Sequence, residues 1–315
     1  MKKKNVLLLE TVSEKALQML EDQTHLHLAD DPFSGGKIAA QYPIHAIVTR
    51  GLGAVNSTLI SSCKELEIIA RCGVGLDNVA VPFATEKGIK VINAPGSNAD
   101  TVAEHTLALL LALSRNLYQN MEAVKQNNWG YRKQYQGDEI RGKKLGLIGM
   151  GNIGQKVALL AKAFGMEVGY WNRSPKIVDC CYEDLNSLLA HSDVLSLHLP
   201  YTPETAGFLN QERLKKIKKG ALLINTSRGE LIDQTVLTEY LKEGQIGGFA
   251  ADVLAQEPPT EEEPLIQLNN VLITPHTASL TTLTFDEMCV LTVQNTLDLL
   301  YGKSIKEKYI YNLSI

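Results

Sequence analysis

Leu145-Gly146-Leu147-Ile148-Gly149-Met150-Gly151-Asn152-Ile153-Gly154 is a short apolar run that breaks into a glycine-spaced loop. Beyond it Ile153, Val157, Leu160, Ala161 and Phe164 recur at helical spacing, which predicts an amphipathic helix, and Met166 to Trp171 reads as the strand that follows. Between Lys143 and Arg173 the chain therefore writes one βαβ half. In that context the glycines have separate tasks. Gly149 makes the tight turn, Gly151 lets backbone approach a pyrophosphate, and Gly154 lets the helix pack closely on the strand. The amides and positive dipole end at the helix start favour phosphate, so the segment predicts a dinucleotide site.

At the tip of the second strand, about 20 residues past the glycines, an NAD site wants an Asp or Glu to hold the ribose hydroxyls. This chain has Asn172-Arg173-Ser174 instead. A neutral Asn removes the carboxylate that would repel a 2′-phosphate. Arg173 offers a guanidinium fork suited to gripping one, with Ser174 as a further donor. The reading favours NADP(H), with NAD(H) as the alternative.

A chain of 315 residues exceeds one ordinary domain, and its 44% hydrophobic content can fill a substantial core. The net charge of -4 leaves no electrostatic footprint for nucleic acid or an anionic membrane. Lys2 to Lys4 precede the first strand, and Lys215, Lys216, Lys218 and Lys219 close a predicted helix, where cations complement the dipole. Five cysteines without CxxC spacing imply neither a disulfide framework nor a zinc site, and Cys180-Cys181 reads as a pair of free thiols. The basic start carries only a strand-length apolar segment before Glu10, unlike a signal peptide. Leu107 to Leu113 is flanked too closely by Glu104, His105 and Arg115 to span a membrane, so it is expected to be a buried helix. The expected location is cytoplasmic.

Short apolar strands alternate with helical patterns: Val6 to Leu9, a helix from about Ser13 to Leu20, Ala46 to Val48, Leu66 to Arg71 and Lys90 to Ile92. A second series runs Leu145 to Ile148, Glu167 to Trp171, Val194 to Leu197, Ala221 to Asn225, Gly248 to Asp252 and Val271 to Thr274. Such alternation predicts an α/β fold with doubly wound parallel sheets, and the glycine loop begins only after one complete set, so two domains are expected. A turn-rich stretch from Asn93 ends at Asp100, a candidate N-cap with Glu104 in the first turn. After Thr274 only a helical pattern from about Phe285 to Leu300 remains, and this tail is expected to cross back to the first domain.

Three segments stand at the ends of late strands: Ile224 to Asp233 around Arg228, Ala251 to Pro258 around Glu257, and Ile273 to Ser279 around His276. Ligands of doubly wound sheets bind beyond the carboxyl ends of the strands, where these side chains can converge. Interconverting a hydroxyl and a carbonyl needs a proton acceptor beside the oxygen. Histidine, with an unperturbed pKa of about 6.5, serves in both directions near neutral pH. Glu257 would orient the His276 imidazole and favour its protonated form, while Arg228 would clamp a substrate carboxylate and polarise its carbonyl. The other six histidines show no such partner in the sequence; none of them, His105, His191 and His198 included, reads as a metal ligand.

With these segments, Arg71-Cys-Gly-Val-Gly-Leu-Asp-Asn78, Asn93-Ala-Pro-Gly-Ser-Asn98, Val102-Ala-Glu-His105 and His198-Leu-Pro-Tyr-Thr-Pro-Glu-Thr205 occur in order, and nearly the whole chain resembles the D-isomer-specific 2-hydroxyacid dehydrogenases. The resemblance implies that Arg228, Glu257 and His276 are the catalytic trio and that the backbone of Val74 and Gly75 holds the substrate carboxylate. It implies that Asn152 and Ile153 lie against the pyrophosphate, Thr226 and Asp252 near the nicotinamide, and Pro200 and Thr205 in the cofactor wall. It also implies a homodimer, and a Rossmann-like cofactor domain (99–284) inserted into a discontinuous substrate domain (1–98 plus 285–315), with a cleft between them.

The substrate is a small 2-hydroxyacid or 2-oxoacid whose identity stays open. Arg50 sits at a strand end where phosphoglycerate dehydrogenases similarly carry an arginine, which points to a second anionic group. Asn172-Arg173-Ser174 is more like NADP-using glyoxylate and hydroxypyruvate reductases, and the chain ends without the regulatory extension many phosphoglycerate dehydrogenases carry. A formate dehydrogenase would share Pro95-Gly-Ser-Asn98 and Val102-Ala-Glu-His105, but its histidine usually pairs with a Gln, so Glu257 argues against it. A cofactor-sensing corepressor on the same fold is disfavoured by the complete trio and the lack of disordered interaction tails.

Overall fold

In a computed structural model describing residues 2–313, the chain divides into two compact units, one running up to Asn98 and resuming at Leu280, the other spanning Ala99–Ser279. The expected return to the first unit at residue 285 comes five residues late. Thr281 caps the last helix, its hydroxyl accepting from Thr284 N, and that helix belongs to the first unit from its first turn.

The first unit contains β1 (Asn5–Leu8), α1 (Glu14–Gln23), β2 (His25–Leu28), α2 (Gly35–Ala39), β3 (Ile44–Thr49), α3 (Ser57–Ser62), β4 (Ile68–Arg71), α4 (Val81–Glu86) and β5 (Lys90–Ile92). Its five strands are all parallel in the order β2-β1-β3-β4-β5. The central strands are mostly apolar because helices cover both faces. Ser13 caps α1, its hydroxyl accepting from Ala16 N. The strand β2 has no counterpart in the sequence reading. His25-Leu-His-Leu28 is a four-residue edge strand, and its mixed exposure leaves no apolar run to detect.

The second unit contains α5 (Ala99–Ser114), α6 (Leu117–Lys125), β6 (Lys144–Ile148), α7 (Asn152–Ala163), β7 (Glu167–Trp171), β8 (Cys181–Tyr182), α8 (Leu185–His191), β9 (Val194–Leu197), α9 (Gln211–Lys215), β10 (Ala221–Asn225), α10 (Gln234–Lys242), β11 (Ile246–Ala251) and β12 (Val271–Ile273). Its seven parallel strands follow the order β12-β11-β10-β9-β6-β7-β8. Strand order reverses between β6 and β9, and the glycine loop leaves the sheet at that switch point, where doubly wound sheets bind ligands. Two details differ from the sequence reading. Asp100 is not an N-cap: the helix already includes Ala99, and Asp100 pairs with Lys156 Nζ at 2.7 Å from within the first turn. Phe164 is not on the buried face: α7 ends at Ala163, and Gly154, Val157, Ala158 and Ala161 make the packed face while Phe164 is exposed.

The last helix, α11 (Thr282–Leu300), returns to the first unit, where Cys289, Val293 and Leu297 pack with Val6, Val48 and Ile68 under the sheet. Beyond it Asn312 stitches the tail to the edge strand: Val91 N donates to its Oδ1 at 2.9 Å, and its Nδ2 donates to Ile89 O at 2.8 Å. Among the described residues no helix is long and apolar enough to cross a membrane, and no cluster of His, Cys, Asp and Glu could hold a metal ion.

Candidate active site

The glycine loop accommodates phosphate by what it leaves out. Gly149 has φ 106°, and a Cβ there would stand 2.4 Å from the His198 carbonyl oxygen. A Cβ on Gly154 would meet the Gly149 carbonyl oxygen at 2.3 Å. These two glycines close the turn onto β9 and α7. Gly151 differs: nothing lies within 4 Å of its added Cβ, so the space above its backbone is open. Asn152 and Ile153 form the first turn of α7, whose N–H groups have no intrahelical acceptor. The open backbone at Gly151 and the unpaired amides of the first turn are groups that could hold a pyrophosphate, so the residues present fit a dinucleotide.

At the end of β7, Arg173 and Ser174 are exposed while Asn172 is partly buried. Asn172 also holds the loops together. Its Oδ1 accepts from Met150 N at 3.4 Å, and its Nδ2 donates to Ser174 O at 2.9 Å. On the other side of β6, Pro200 is exposed and its carbonyl accepts from the Thr205 hydroxyl at 2.7 Å, while Thr202 N donates to that hydroxyl at 2.8 Å. Thr205 is thus the staple of this loop. His198 opens it: its Nε2 lies 3.0 Å from Ser196 Oγ, and its Nδ1 is buried with no hydrogen-bond partner. Burial pushes its pKa down to about 3, so the ring is neutral.

Three neighbouring strands at the other end of the sheet carry the trio: Arg228 follows β10, Glu257 follows β11 and His276 follows β12. Glu257 Oε2 lies 2.7 Å from His276 Nδ1, and its Oε1 accepts from Leu254 N at 2.9 Å. Partial burial raises the Glu257 pKa, but the bonds from His276 and Leu254, with the positive charges of His276 and Arg228, outweigh it and hold the carboxyl below its ordinary range. Arg228 Nη1 donates to Ser227 O at 2.6 Å, and Asn225 Nδ2 donates to Arg228 O at 2.8 Å, so the loop that presents the guanidinium is fixed at its base. With Nδ1 held by a carboxylate, Nε2 is the nitrogen that can exchange a proton with a ligand.

His276 has φ 55°, a left-handed backbone that costs a non-glycine residue about 1–3 kcal/mol. Asp252 holds it there. Its Oδ1 accepts from Thr277 N at 2.8 Å and its Oδ2 from Ala278 N at 2.7 Å, while its carbonyl accepts from His276 N at 2.9 Å. Asp252 is 1% exposed, so its carboxylate is engaged by protein on both oxygens rather than open to a ligand. Thr226 is similarly buried, with its hydroxyl 2.8 Å from that of Thr106.

The substrate residues expected in the first unit lie together at its strand ends. Arg50 follows β3 and Arg71 ends the adjacent β4, whose Nε donates to Arg50 O at 2.6 Å. Val74 O accepts from Asn93 Nδ2 at 2.6 Å, which steadies the backbone carrying Val74 and Gly75. Arg50 Nη1 donates to Thr11 O at 3.2 Å, and its guanidinium carbon lies 4.7 Å from the centre of the Phe285 ring. Glu10, which the sequence reading noted only as the end of the first apolar segment, organises this corner. Its Oε1 accepts from the amides of Arg50 and Gly53, each at 2.8 Å, and from Leu52 at 3.1 Å. Burial raises the Glu10 pKa, and these amide bonds more than reverse it, so the carboxyl sits below its ordinary range. A lone glutamate after a strand carries no spacing signal; only the folded loop reveals four consecutive amides turned toward it.

The sequence profile of the "D-isomer specific 2-hydroxyacid dehydrogenase, NAD binding domain" matches residues 107–278. Over 282 residues the chain is 37% identical to the D-3-phosphoglycerate dehydrogenase of Archaeoglobus fulgidus, covering 88% of this chain and 53% of that protein. It is 38% identical over 272 residues to the hydroxypyruvate reductase of Thermotoga maritima, covering 85% of this chain and 89% of the other. The crystal structure of the NADPH-dependent glyoxylate/hydroxypyruvate reductase from Sinorhizobium meliloti superimposes with a TM-score of 0.90 at 27% identity, over 99% of each chain. The chain spans about half the length of the D-3-phosphoglycerate dehydrogenases it matches.

Proposed function

This chain belongs to the D-isomer-specific 2-hydroxyacid dehydrogenase family, and on that premise we propose that it transfers hydride between a nicotinamide cofactor and a small D-2-hydroxyacid/2-oxoacid pair. The observation that carries the reading is the 2.7 Å contact between His276 Nδ1 and Glu257 Oε2 beyond the ends of β12 and β11. When bound, the cofactor supplies the hydride acceptor or donor. His276 Nε2 removes the hydroxyl proton in the oxidative direction and returns it in the reductive one. Glu257 stabilises the imidazolium formed in the first case and required in the second. Arg228 binds the substrate carboxylate through its guanidinium fork and draws electron density from the reacting carbonyl. In the first unit, the backbone of Val74 and Gly75 is the proposed contact for a substrate carboxylate.

The cofactor is NADP(H) in preference to NAD(H). Exposed Arg173 and Ser174 are donors for a 2′-phosphate, and no carboxylate occupies position 172 to repel it. The candidate substrates are glyoxylate or hydroxypyruvate and, if Arg50 reads a second anion, 3-phosphoglycerate. The working assembly is a homodimer. Leu117, Tyr118, Met121 and Val124 on α6, with Trp129 just beyond, are exposed apolar side chains of the kind a second copy would cover.

The deciding experiment assays glyoxylate, hydroxypyruvate, pyruvate and phosphohydroxypyruvate with NADH and NADPH in parallel. Turnover of at least one 2-oxoacid, abolished about 10²-fold to 10⁴-fold by His276→Ala with cofactor binding retained, is the expected result. No oxidation of either cofactor with any of the four would overturn the reading.

A further inference from the structure

We propose that His105 is a positioning residue for His276, acting through Thr274 and Asp252. The inference rests on the proton-transfer role assigned above to His276. His105 stands on α5, and its Nε2 lies 2.9 Å from Thr274 Oγ1 and 3.6 Å from Asp252 Oδ1. The Thr274 hydroxyl donates to Asp252 Oδ1 at 2.5 Å. Because that hydroxyl spends its proton on the carboxylate, its oxygen can only accept from His105, and Nε2 is the atom that carries a hydrogen. The chain of bonds therefore runs in one direction, from imidazole to hydroxyl to carboxylate.

Its end point is the anchor of the strained histidine. The same Asp252 carboxylate receives the amides of Thr277 and Ala278, which flank His276 on its C-terminal side. Thr274 flanks it on the N-terminal side, two residues away. The backbone of His276 at φ 55° is held by its own amide, which donates to the carbonyls of Asp252 and Thr274, and by this carboxylate, which is buried where its orientation depends on its donors. The two amides belong to the segment being held, so Thr274 is the side chain that ties the carboxylate to β12. His105, fixed on a sixteen-residue helix that packs in the core of the unit, fixes the hydroxyl in turn.

The test compares His105→Ala, His105→Gln, Thr274→Val and the double variant His105→Ala/Thr274→Val, each as the full chain. His105→Ala should lower kcat about tenfold, the scale of one lost hydrogen bond, with the KM for cofactor unchanged. His105→Gln, which keeps an N–H donor, should recover most of that loss. The double variant should be no worse than Thr274→Val, since both substitutions break one chain of bonds. Independently of turnover, amide hydrogen exchange in the peptide 274–279 should quicken in His105→Ala. A wild-type chain inactive on every 2-oxoacid would remove the functional reading while the exchange measurement still judged the anchor. A His105→Ala variant with wild-type kcat and wild-type exchange, or a double variant whose losses simply add, would overturn the proposal.

Discussion

Gly229 lies against Leu254 so closely that a Cβ on Gly229 would stand 2.0 Å from the Leu254 carbonyl carbon and 2.2 Å from Ala255 N. Gly229 directly follows Arg228, and the Leu254 amide donates to Glu257, so this contact joins the loop that carries Arg228 to the loop that carries Glu257. Gly229→Ala should push two backbone segments apart. We expect a destabilisation of about 1–3 kcal/mol and a kcat/KM loss of at least about tenfold. Gly151→Ala is the matched control, because its Cβ enters open space. It should melt at the wild-type temperature yet bind cofactor more weakly by fluorescence titration. A Gly229→Ala protein with wild-type Tm would refute the close packing, and a Gly151→Ala protein with wild-type affinity would move the phosphates elsewhere.

Glu257→Gln keeps the shape of the side chain and removes its charge. The carboxylate stabilises the protonated imidazole 2.7 Å away, and reduction requires that protonated form. The variant should therefore lose kcat in the reductive direction about tenfold or more, with cofactor affinity by fluorescence unchanged. A wild-type kcat would show that Glu257 does not support the proton transfer.

Arg173→Ala should reduce NADPH use about tenfold to a hundredfold more than NADH use, since only NADPH offers the phosphate for a charge-assisted contact. Equal losses with both cofactors would sink that assignment. Asn172→Asp should shift preference the same way by restoring a repulsive carboxylate. It should also lower stability, because Asn172 Nδ2 donates to Ser174 O and an aspartate cannot. Thermal melting without cofactor separates the two effects.

The neutral His198 ring makes stability depend on pH. Its pKa is lowered from 6.5 to about 3 by burial, so below 6.5 the unfolded chain binds a proton that the folded chain refuses. Stability is fully present above 6.5 and falls as pH drops toward 3, by up to about 1.4 kcal/mol per pH unit from this one group. Urea unfolding at pH 7, 5.5 and 4.5 should show the decline, and His198→Gln should flatten it. A variant with the wild-type slope would mean that His198 is protonated within the fold.

Much of this protein was readable along the chain. Buried parallel strands leave short apolar runs, so β5, β7, β9 and β10 could be bounded residue for residue; β2 and β8, short and largely exposed, left no such trace. The glycine loop was legible because backbone geometry limits Gly149 and Gly154 to one residue type. Arg228, Glu257 and His276 were legible because each follows a strand, and strand ends of one sheet share an edge.

What the sequence by itself determined is the part of the protein that depends on local chain geometry and periodic burial: most of the strands, the covering helices, the glycine turn and the side chains that stand at the strand ends. The tertiary structure alone decided how those side chains are held. His105 and Thr274 are 169 positions apart, and Glu10 lies 40 positions from Arg50. Hydrogen bonds over such separations have no period and no composition; they exist only once the sheets have placed the donors within about 3 Å of their acceptors, where burial makes each one count.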